Sequence, residues 1–204
     1  TKKSSDDGGR QERLDRLHGI VEEHGQVIRL HPFRRHRVGA VVTGSEVYSG
    51  MVEDGFADHV QPKIADYGAN LVEKILVPDS ADAIAEAVGR LRDTGCELIL
   101  TTGGLSVDPD DVTRQGVRQS GAKIESYGSP VMPGAMFLYA ELGDIPVLGL
   151  PACVFYFPST ILDLLLPRVL CGERLTARSI ARLGHGGLCL QCGTCRFPYC
   201  QFGK

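Results

Sequence analysis

The feature that most constrains this chain is a regular alternation of short apolar runs and amphipathic helical segments between residues 37 and 172. Apolar runs of this length predict buried strands, and apolar residues that recur every three or four positions predict helices. The candidate strands are 38–42, 70–77, 96–100 and 123–127, and the candidate helices are 55–67, 81–94, 111–120 and 158–170. Strands that alternate with helices form parallel sheets covered on both faces. We therefore predict an α/β fold with three layers, α/β/α, around a mainly parallel sheet.

Local signals add caps, a hairpin and two elements near the start of the chain. Ser80 and Asp110 are suitable N-caps for the helices that follow them. Two apolar runs at 137–142 and 146–150 frame a Gly-Asp turn, which predicts a β-hairpin. Before the alternating region, 12–24 has helical periodicity, 26–30 is a candidate short strand, and 31–37 is a basic connector.

The domain organisation follows from where the alternation begins and ends. We predict an N-terminal helix, strand and linker over 1–36, a central α/β domain over 37–172 and an extension over 173–204. The N-terminal part is interpreted as a remnant of a preceding domain. Residues 145–162 carry no charge, but four Pro or Gly residues interrupt them, so we predict a strand, a turn and a core helix and no membrane span.

Composition narrows the classes of function. The 204 residues contain 22 Lys and Arg against 25 Asp and Glu, a net charge of -3, which argues against a nucleic-acid-binding protein. Seven cysteines with no secretory signal do not form a paired disulfide framework. The expected location is therefore the reducing cytoplasm.

Three predicted strands end in glycine-containing segments, which predicts a ligand site at one edge of the sheet. These segments are Thr43-Gly44, Thr102-Gly103-Gly104 and Gly149-Leu150-Pro151. Ligands of open α/β sheets bind beyond the carboxyl ends of the strands, and glycine lets backbone amides approach an anion closely. The segments therefore favour a phosphate-bearing ligand; the alternative is that each glycine only makes a tight turn.

Carboxylates follow two of these turns. Asp108, Asp110 and Asp111 come after Gly103-Gly104, and Glu46 comes after Gly44. Carboxylates beside a phosphate pocket suit magnesium, which prefers oxygen ligands. The alternative for Asp110 is helix capping, and an acid in the first helical turn is also favoured by the helix dipole.

Several of these segments resemble a known family. Residues 101–113, T-T-G-G-L-S-V-D-P-D-D-V-T, resemble the signature of the molybdopterin-binding domain that the MogA and MoaB adenylyltransferases share with the MoeA molybdenum-insertion proteins. T-G-S-E-V at 43–47 resembles a MoeA turn. Pro133-Gly134 and I-P-V-L-G-L-P at 145–151 resemble two further MoeA segments. Together the segments cover about residues 37–172.

The resemblance implies binding of molybdopterin, a pterin phosphate, in molybdenum cofactor biosynthesis on a MogA-like fold. It implies two candidate reactions: a magnesium-dependent, MoeA-like molybdotransferase, or a MogA-like adenylyltransferase that uses ATP. Molybdate and ATP are then candidate small-molecule partners, and a homo-oligomer, dimer or trimer, is expected. Asp111, then Asp108 or Asp110, would orient magnesium, with Glu46 assisting. The ligand-binding residues would be Thr43, Gly44, Thr102, Gly103, Gly104, Ser106, Gly149 and Pro151.

Departures from the family pattern keep other roles open. Ala135-Met136 stands where MoeA proteins have a lysine after Pro-Gly, and Ala152-Cys153 stands where they have Gly-Asn. A non-catalytic molybdopterin carrier or sensor, with the tail as docking or redox element, is therefore one alternative. A nucleotide-binding hydrolase of the competence-damage type is another.

The C-terminal cysteines form a separate motif. Cys189, Cys192, Cys195 and Cys200 have the spacing C-x2-C-x2-C-x4-C, in which four thiolates at short spacing can close on one metal centre. The first three resemble the start of a bacterial ferredoxin motif. The motif leaves three readings open: a 4Fe-4S cluster, zinc, or a flexible reduced tail.

Overall fold

The computed structural model describes residues 7–25, 28–51, 53–105 and 111–204. The chain divides into two compact units, Thr1–Pro32 and Phe33–Lys204. The smaller unit contains helix α1, Asp7–His24, which confirms the predicted helix and extends it toward the N-terminus. Residues 28–30 form no strand, and residues 26–27 of the predicted short strand lie outside the described residues.

The larger unit contains six strands and seven α-helices among its described residues. The strands are β1 Arg37–Thr43, β2 Asn70–Val77, β3 Leu98–Thr102, β4 Lys123–Tyr127, β5 Leu138–Leu142 and β6 Ile145–Leu150. The helices are α2 Ser45–Tyr48, α3 Phe56–His59, α4 Gln61–Ala65, α5 Ala81–Asp93, α6 Val112–Gln119, α7 Ile161–Leu170 and α8 Ala177–Ala181. Two short 3₁₀ helices, Ala152–Phe155 and Arg182–Gly184, lie on either side of α7 and α8.

The strands form one sheet in the order β2-β1-β3-β6-β5-β4. β1 pairs in parallel with β2 and with β3, and β3 pairs in parallel with β6. Only β5 runs against its neighbours, because it forms the predicted hairpin with β6 and then pairs with β4. The carboxyl ends of β1, β2, β3, β4 and β6 therefore lie at one edge of the sheet, which we call the carboxyl edge.

Each face of the sheet has its own apolar core. On one face Phe56, Phe137 and Leu166 are fully buried with residues of α3, α4 and α7. On the other face Ile84 and Val117 are fully buried under α5 and α6. Two covered faces confirm the predicted three-layer α/β/α architecture.

Several predicted boundaries move for local reasons. The predicted helix at 55–67 is two short helices, α3 and α4, and Pro62 stands in the first turn of α4. The helix expected from residue 158 begins at Ile161, because Thr160 and Asp163 form a capping box. Ser80 caps α5 as predicted, but the cap of α6 is Asp111 and not Asp110.

The basic connector lies at the edge of the sheet opposite the carboxyl edge. The Arg37 guanidinium donates to the carbonyl oxygens of Gly95, at 2.9 Å, and Thr94, at 3.1 Å. The amides of His36 and Arg37 donate to the Glu97 carboxylate at 2.7 and 3.0 Å. These contacts fix the start of β1 and direct the connector away from the predicted ligand site. None of the helices in the described residues combines the length and hydrophobicity that a bilayer crossing requires.

Candidate functional site

The carboxyl edge contains a topological switch between β1 and β3. The chain leaves β1 for β2 on one side, and β3 then pairs on the other side of β1. The two strand ends are adjacent, so the segments Thr43-Gly44 and Thr102-Gly103-Gly104 come together as predicted. Crevices of this kind are the usual ligand sites of open α/β sheets.

The turn after β3 is packed tightly against its neighbours. Gly103 and Gly104 have φ angles of +89° and +57°, which non-glycine residues rarely adopt. A Cβ atom on Gly103 would lie 2.2 Å from the Thr43 carbonyl oxygen, and one on Gly104 would lie 2.6 Å from Thr113 Oγ1. The Thr113 hydroxyl donates to the Gly103 carbonyl oxygen at 2.9 Å. The glycines are therefore required by close packing as well as by their backbone angles.

Asp111 ties this turn to α6 and β4. The Asp111 side chain is 4% exposed, and its Oδ1 accepts from the amides of Thr113, at 3.0 Å, and Arg114, at 3.3 Å. Its Oδ2 accepts from the Tyr127 hydroxyl at 3.2 Å. Burial, followed by the Asp111 charge and this hydrogen bond, raises the pKa of Tyr127 to about 12. The Arg114 guanidinium carbon lies 5.0 Å from the centre of the Tyr127 ring. Asp111 is thus a buried cap.

The turn after β1 already holds a carboxylate. Asp79, two residues past the end of β2, accepts from the Ser45 amide at 2.9 Å and from the Ser45 hydroxyl at 3.1 Å through Oδ2. Its Oδ1 accepts from the Thr43 hydroxyl at 3.1 Å. Gly44 between them has a φ of +141°. Asp79 therefore occupies the Thr43 hydroxyl, which was predicted to bind the ligand, and the amide that follows Gly44.

Sequence reasoning missed Asp79, although a signal for it existed. The segment Pro78-Asp79-Ser80 follows a predicted strand, as the turns after β1 and β3 do. It contains no glycine, and the predicted ligand site rested on glycine turns alone. That β2 pairs with β1 was needed to bring Asp79 beside Ser45.

Two buried threonines mark the end of β3. Within the described part of the chain, the hydroxyls of Thr101 and Thr102 are buried and have no hydrogen-bond partner. Buried polar groups nearly always form hydrogen bonds, so two buried hydroxyls without a partner at the end of a strand require an explanation. Donors for a ligand at the carboxyl edge are one such explanation.

The segment after β6 differs from the prediction. Gly149 lies inside β6 and not in a turn, and a Cβ there would lie 2.8 Å from both Leu105 Cδ1 and Leu138 Cβ. Pro151 is buried and precedes the 3₁₀ helix Ala152–Phe155. Cys153, in that helix, is half-buried, and burial raises the pKa of its thiol. Gly149 is therefore a close-packed strand residue, and the chain leaves the strand at Pro151.

The other predicted site residues divide into two groups. Glu46 is exposed on α2, next to the Gly44 turn. Ser106, Asp108 and Asp110 lie outside the described residues.

Magnesium fits the carboxyl edge only with oxygen atoms from a substrate. In the ranges that the structure describes, no group of three or more His, Cys, Asp or Glu side chains is arranged to hold a metal ion. Magnesium, however, is usually held by one or two carboxylates together with substrate phosphates. Asp79 and Glu46 are exposed and can supply those carboxylates, whereas both Asp111 oxygens accept hydrogen bonds from the protein.

A second concave region lies on the face of the sheet that α7 covers. It is a cavity of about 340 Å³ between the C-terminal segment and the residues before α7, and we call it the cysteine cavity. Its lining includes all four cysteines of the C-terminal motif: Cys189, Cys192, Cys195 and Cys200. The Cys195 Sγ lies 3.2 Å from the Ser159 hydroxyl. The sequence motif is therefore gathered around one space.

Residues 39–170 match the family described as "Probable molybdopterin binding domain". Among curated relatives, a CinA-like protein of Amoebophilus asiaticus is 30% identical over 81 residues, 40% of this chain and 20% of that protein. One from Citrifermentans bemidjiense is 34% identical over 90 residues, 44% of this chain and 22% of that protein. The match thus spans about a fifth of the length of these relatives.

Solved structures agree on the fold. CinA from Thermoplasma acidophilum superposes with a TM-score of 0.54 at 16% identity, over 68% of this chain and 99% of that one. MoaB, a molybdopterin biosynthesis enzyme from Thermus thermophilus, gives 0.53 at 20% identity, over 68% and 98%. The MoeA protein from Pyrococcus horikoshii gives 0.53 at 19% identity, over 72% and 36%. The architecture is therefore shared with proteins of all three names.

Proposed function

Because the chain belongs to the molybdopterin-binding domain family, we propose that it binds a pterin phosphate at the carboxyl edge of its sheet, in molybdenum cofactor biosynthesis. The observation that carries the proposal is the interlocked turn at Gly103-Gly104, at the switch between β1 and β3. Two buried threonine hydroxyls without partners in the described residues stand directly before it. The turn and the hydroxyls are polar groups that a phosphate or a pterin ring can engage.

The phosphate rests on the turn after β3 and not on the turn after β1. Asp79 already accepts the Ser45 amide and hydroxyl, and a phosphate at the same donors would meet a like charge. The tight neighbours of the glycine turn at 103–104 are the backbone and hydroxyl of Thr43 and the hydroxyl of Thr113, which carry no charge. This division assigns one anion to each turn, the protein's own carboxylate to the first and the ligand to the second.

Magnesium, when bound, neutralises phosphate charge, and this chain would hold it through Asp79 and Glu46. Asp79 accepts three hydrogen bonds on two oxygens that offer about four acceptor positions, so one position remains for a cation. Asp111, with Asp108 and Asp110 shortly before it in the sequence, remains the alternative acid. Its burial and its cap contacts make a positioning role the better-supported one.

The reaction that we propose is the MoeA-like molybdotransferase, because the G-G-L-S-V segment and the T-G-S-E-V turn resemble MoeA most. Adenylyl transfer from ATP to the pterin phosphate is the alternative, and a carrier or sensor that does not turn over is a third. The assay uses molybdopterin, magnesium ATP and molybdate. Adenylate cleavage with molybdate uptake would identify a molybdotransferase. Adenylate formation would identify an adenylyltransferase, and binding without turnover would identify a carrier or sensor.

The CinA-like relatives favour a second candidate ligand. Stretches of 77 to 90 residues are 30% to 36% identical to CinA-like proteins, and this supports the alternative of a nucleotide-binding hydrolase of the competence-damage type. A nucleotide also presents phosphate groups to the turn after β3. Release of phosphate from an ADP-ribose-like substrate, without binding of molybdopterin, selects this candidate.

Binding by isothermal titration tests the location of the site. We expect Asp79→Asn to weaken magnesium-dependent binding of molybdopterin or its adenylate by about tenfold. Asp144→Asn is the matched control, because Asp144 is an exposed carboxylate in the β5-β6 turn, at the other edge. Equal affinities in the two variants and the wild type would exclude Asp79 from the site. A homo-oligomer remains a prediction, which light scattering tests.

A further inference from the structure

The lining of the cysteine cavity shares no residue with the turns after β1 and β3, and the proposed function does not use it. Its walls combine soft and apolar groups. Four cysteines contribute thiols, and Phe157, Phe197 and Phe202 contribute aromatic rings. The Phe197 and Phe202 rings pack edge to face, with centroids 6.0 Å apart. Thiolates are the ligands that iron–sulfur clusters and zinc prefer, and an apolar surround limits the access of water.

The cavity is held in place by the rest of the domain at both ends of the cysteine loop, residues 188–202. At its start, the Met132 amide donates to Gly187 and the Cys189 amide donates to Met132, both at 2.8 Å. At its end, Phe202 is 4% exposed within the apolar core. The Gly203 amide donates to the Gly186 carbonyl oxygen at 2.8 Å, which closes the loop on itself. The loop is therefore built onto the domain, and the reading of it as a flexible tail fails for this part.

One residue of the loop has an unusual backbone. Gln191, between the first two cysteines, has a φ of +51°, in the left-handed region that non-glycine residues rarely adopt. Such conformations persist where the surroundings impose them and cluster at ligand sites. Here the bend at Gln191 turns the chain between Cys189 and Cys192, both of which line the cavity.

The geometry favours a cluster over a single ion. A zinc ion needs four sulfur atoms about 2.3 Å from one point. Instead, the described thiols form no group arranged for one ion, and they line a cavity of about 340 Å³. A cubane cluster brings its own iron and sulfide into such a volume and takes one thiolate on each iron.

We propose that Cys189, Cys192, Cys195 and Cys200 bind one 4Fe-4S cluster in the cysteine cavity. Binding replaces the four thiol protons with four iron–sulfur bonds, and the protons leave to solvent. The Arg196 guanidinium, which also lines the cavity, offsets the negative charge of a cluster with four thiolates. The Ser159 hydroxyl, beside Cys195, can donate to the bound sulfur.

The test is anaerobic reconstitution of the full chain with equal amounts of ferrous and ferric iron and with sulfide, which together supply the oxidation state of the cluster, and with zinc offered in a parallel sample. We expect about four iron and about four sulfide per chain, a brown colour, and bleaching by dithionite with an electron paramagnetic resonance signal. Cys192→Ser and Cys195→Ser, at exposed positions, should lose the cluster while circular dichroism stays unchanged. Cys171→Ser, outside the cavity, should retain it.

Three results would overturn the proposal. They are zinc at one ion per chain with no uptake of iron, no uptake of either metal, and a cluster that survives in the double variant of Cys192 and Cys195. Molybdopterin binding is measured on the same samples. Because the two regions share no residue, loss of the cluster with pterin binding retained, or the reverse, separates a failure of this proposal from a failure of the proposed function.

Discussion

The carboxyl-edge turns and the cysteine cavity contrast in how their functional groups are used. At the turns, the polar groups mostly bind one another: Asp79 accepts from Ser45, Asp111 caps α6, and Thr113 donates to Gly103. At the cavity, four cysteines face a shared space that the protein does not fill. The family motif therefore builds and stiffens a crevice, while the cysteine motif outside the family match lines a cavity with its thiols.

Among the variants considered, Gly103→Ala should cause the largest loss in the free energy of unfolding, because the turn after β3 is packed so tightly. Its Cβ would lie 2.2 Å from a backbone oxygen, which a side-chain rotation cannot relieve, and its φ is +89°. We expect a loss of about 3 kcal/mol in the free energy of unfolding, from overpacking and from the left-handed backbone together. Urea denaturation measures the loss.

Gly143→Ala is the matched control for that change. Gly143 has a φ of +61° in the β5-β6 turn, and a Cβ there meets nothing within 4 Å. We expect it to cost only the backbone part, about 1 kcal/mol. Equal losses in the two variants would mean that the turn after β3 adapts and is not interlocked.

Asp111→Ala should rank next, at about 2 kcal/mol. It removes the side-chain cap from the amides of Thr113 and Arg114 and one hydrogen bond from the Tyr127 hydroxyl. Asp111→Asn keeps a capping oxygen and removes only the charge. If Asp111 is a cap, Asp111→Asn restores most of the stability and binds molybdopterin with magnesium as the wild type does; if Asp111 holds magnesium, the stable Asn variant loses that binding.

Two tyrosines should make the stability of the fold depend on alkaline pH. Tyr127 and Tyr139 both have a pKa raised from 10.0 to about 12, mainly because burial disfavours the phenolate. A raised pKa in the folded state means that this stability is fully present below about pH 10 and is lost as the pH rises toward 12. We expect urea midpoints to fall over that interval.

Tyr127→Phe separates the two tyrosines. It removes one hydrogen bond to Asp111, at about 1 kcal/mol near neutral pH, and it should make the alkaline loss shallower. The Tyr139 hydroxyl donates to Glu141 at 2.9 Å and accepts from the Leu175 amide, on the opposite face of the sheet. Tyr139→Phe should therefore also make the alkaline loss of stability shallower. An unchanged alkaline slope in both variants would refute the assignment of this pH dependence to the tyrosines.

Sequence patterns predicted the scaffold well because the physics behind them is local. Strand β4 has the predicted bounds 123–127, and Ser80 caps α5, because periodicity and capping act over a few neighbouring residues. That Thr43-Gly44 and Gly103-Gly104 lie at the same edge also followed, since alternation of strands and helices places the carboxyl ends of parallel strands at one edge; that the two turns are neighbours depends on the strand order.

What the sequence did not predict depends on contacts between distant segments. Asp79 reaches Ser45 only because β2 pairs with β1. Gly149 had the composition of a turn, but its role is set by Leu105 and Leu138 on other elements. The cysteine spacing indicated a metal centre, but it did not indicate that Phe202, beyond the last cysteine, is buried in the core and also lines the cavity.

The smallest expected effect is that of Ser159→Ala, and it compares the two regions at the level of one hydrogen bond. Ser159 is 3% exposed, and its hydroxyl lies 3.2 Å from Cys195 Sγ. Hydrogen bonds to cluster sulfur stabilise the reduced state, which carries more negative charge, so their removal lowers the reduction potential. We expect the reconstituted variant to keep its cluster and its folding stability, and to show a more negative reduction potential in a redox titration.

Thr160→Ser is the control at the next position, because the Thr160 hydroxyl caps α7 at Leu162 and serine keeps that hydroxyl. An unchanged reduction potential with the cluster still bound would mean that the Ser159 hydroxyl does not donate to the sulfur of Cys195. The cavity would then differ from the carboxyl-edge turns, where hydrogen bonds within the protein hold the functional groups.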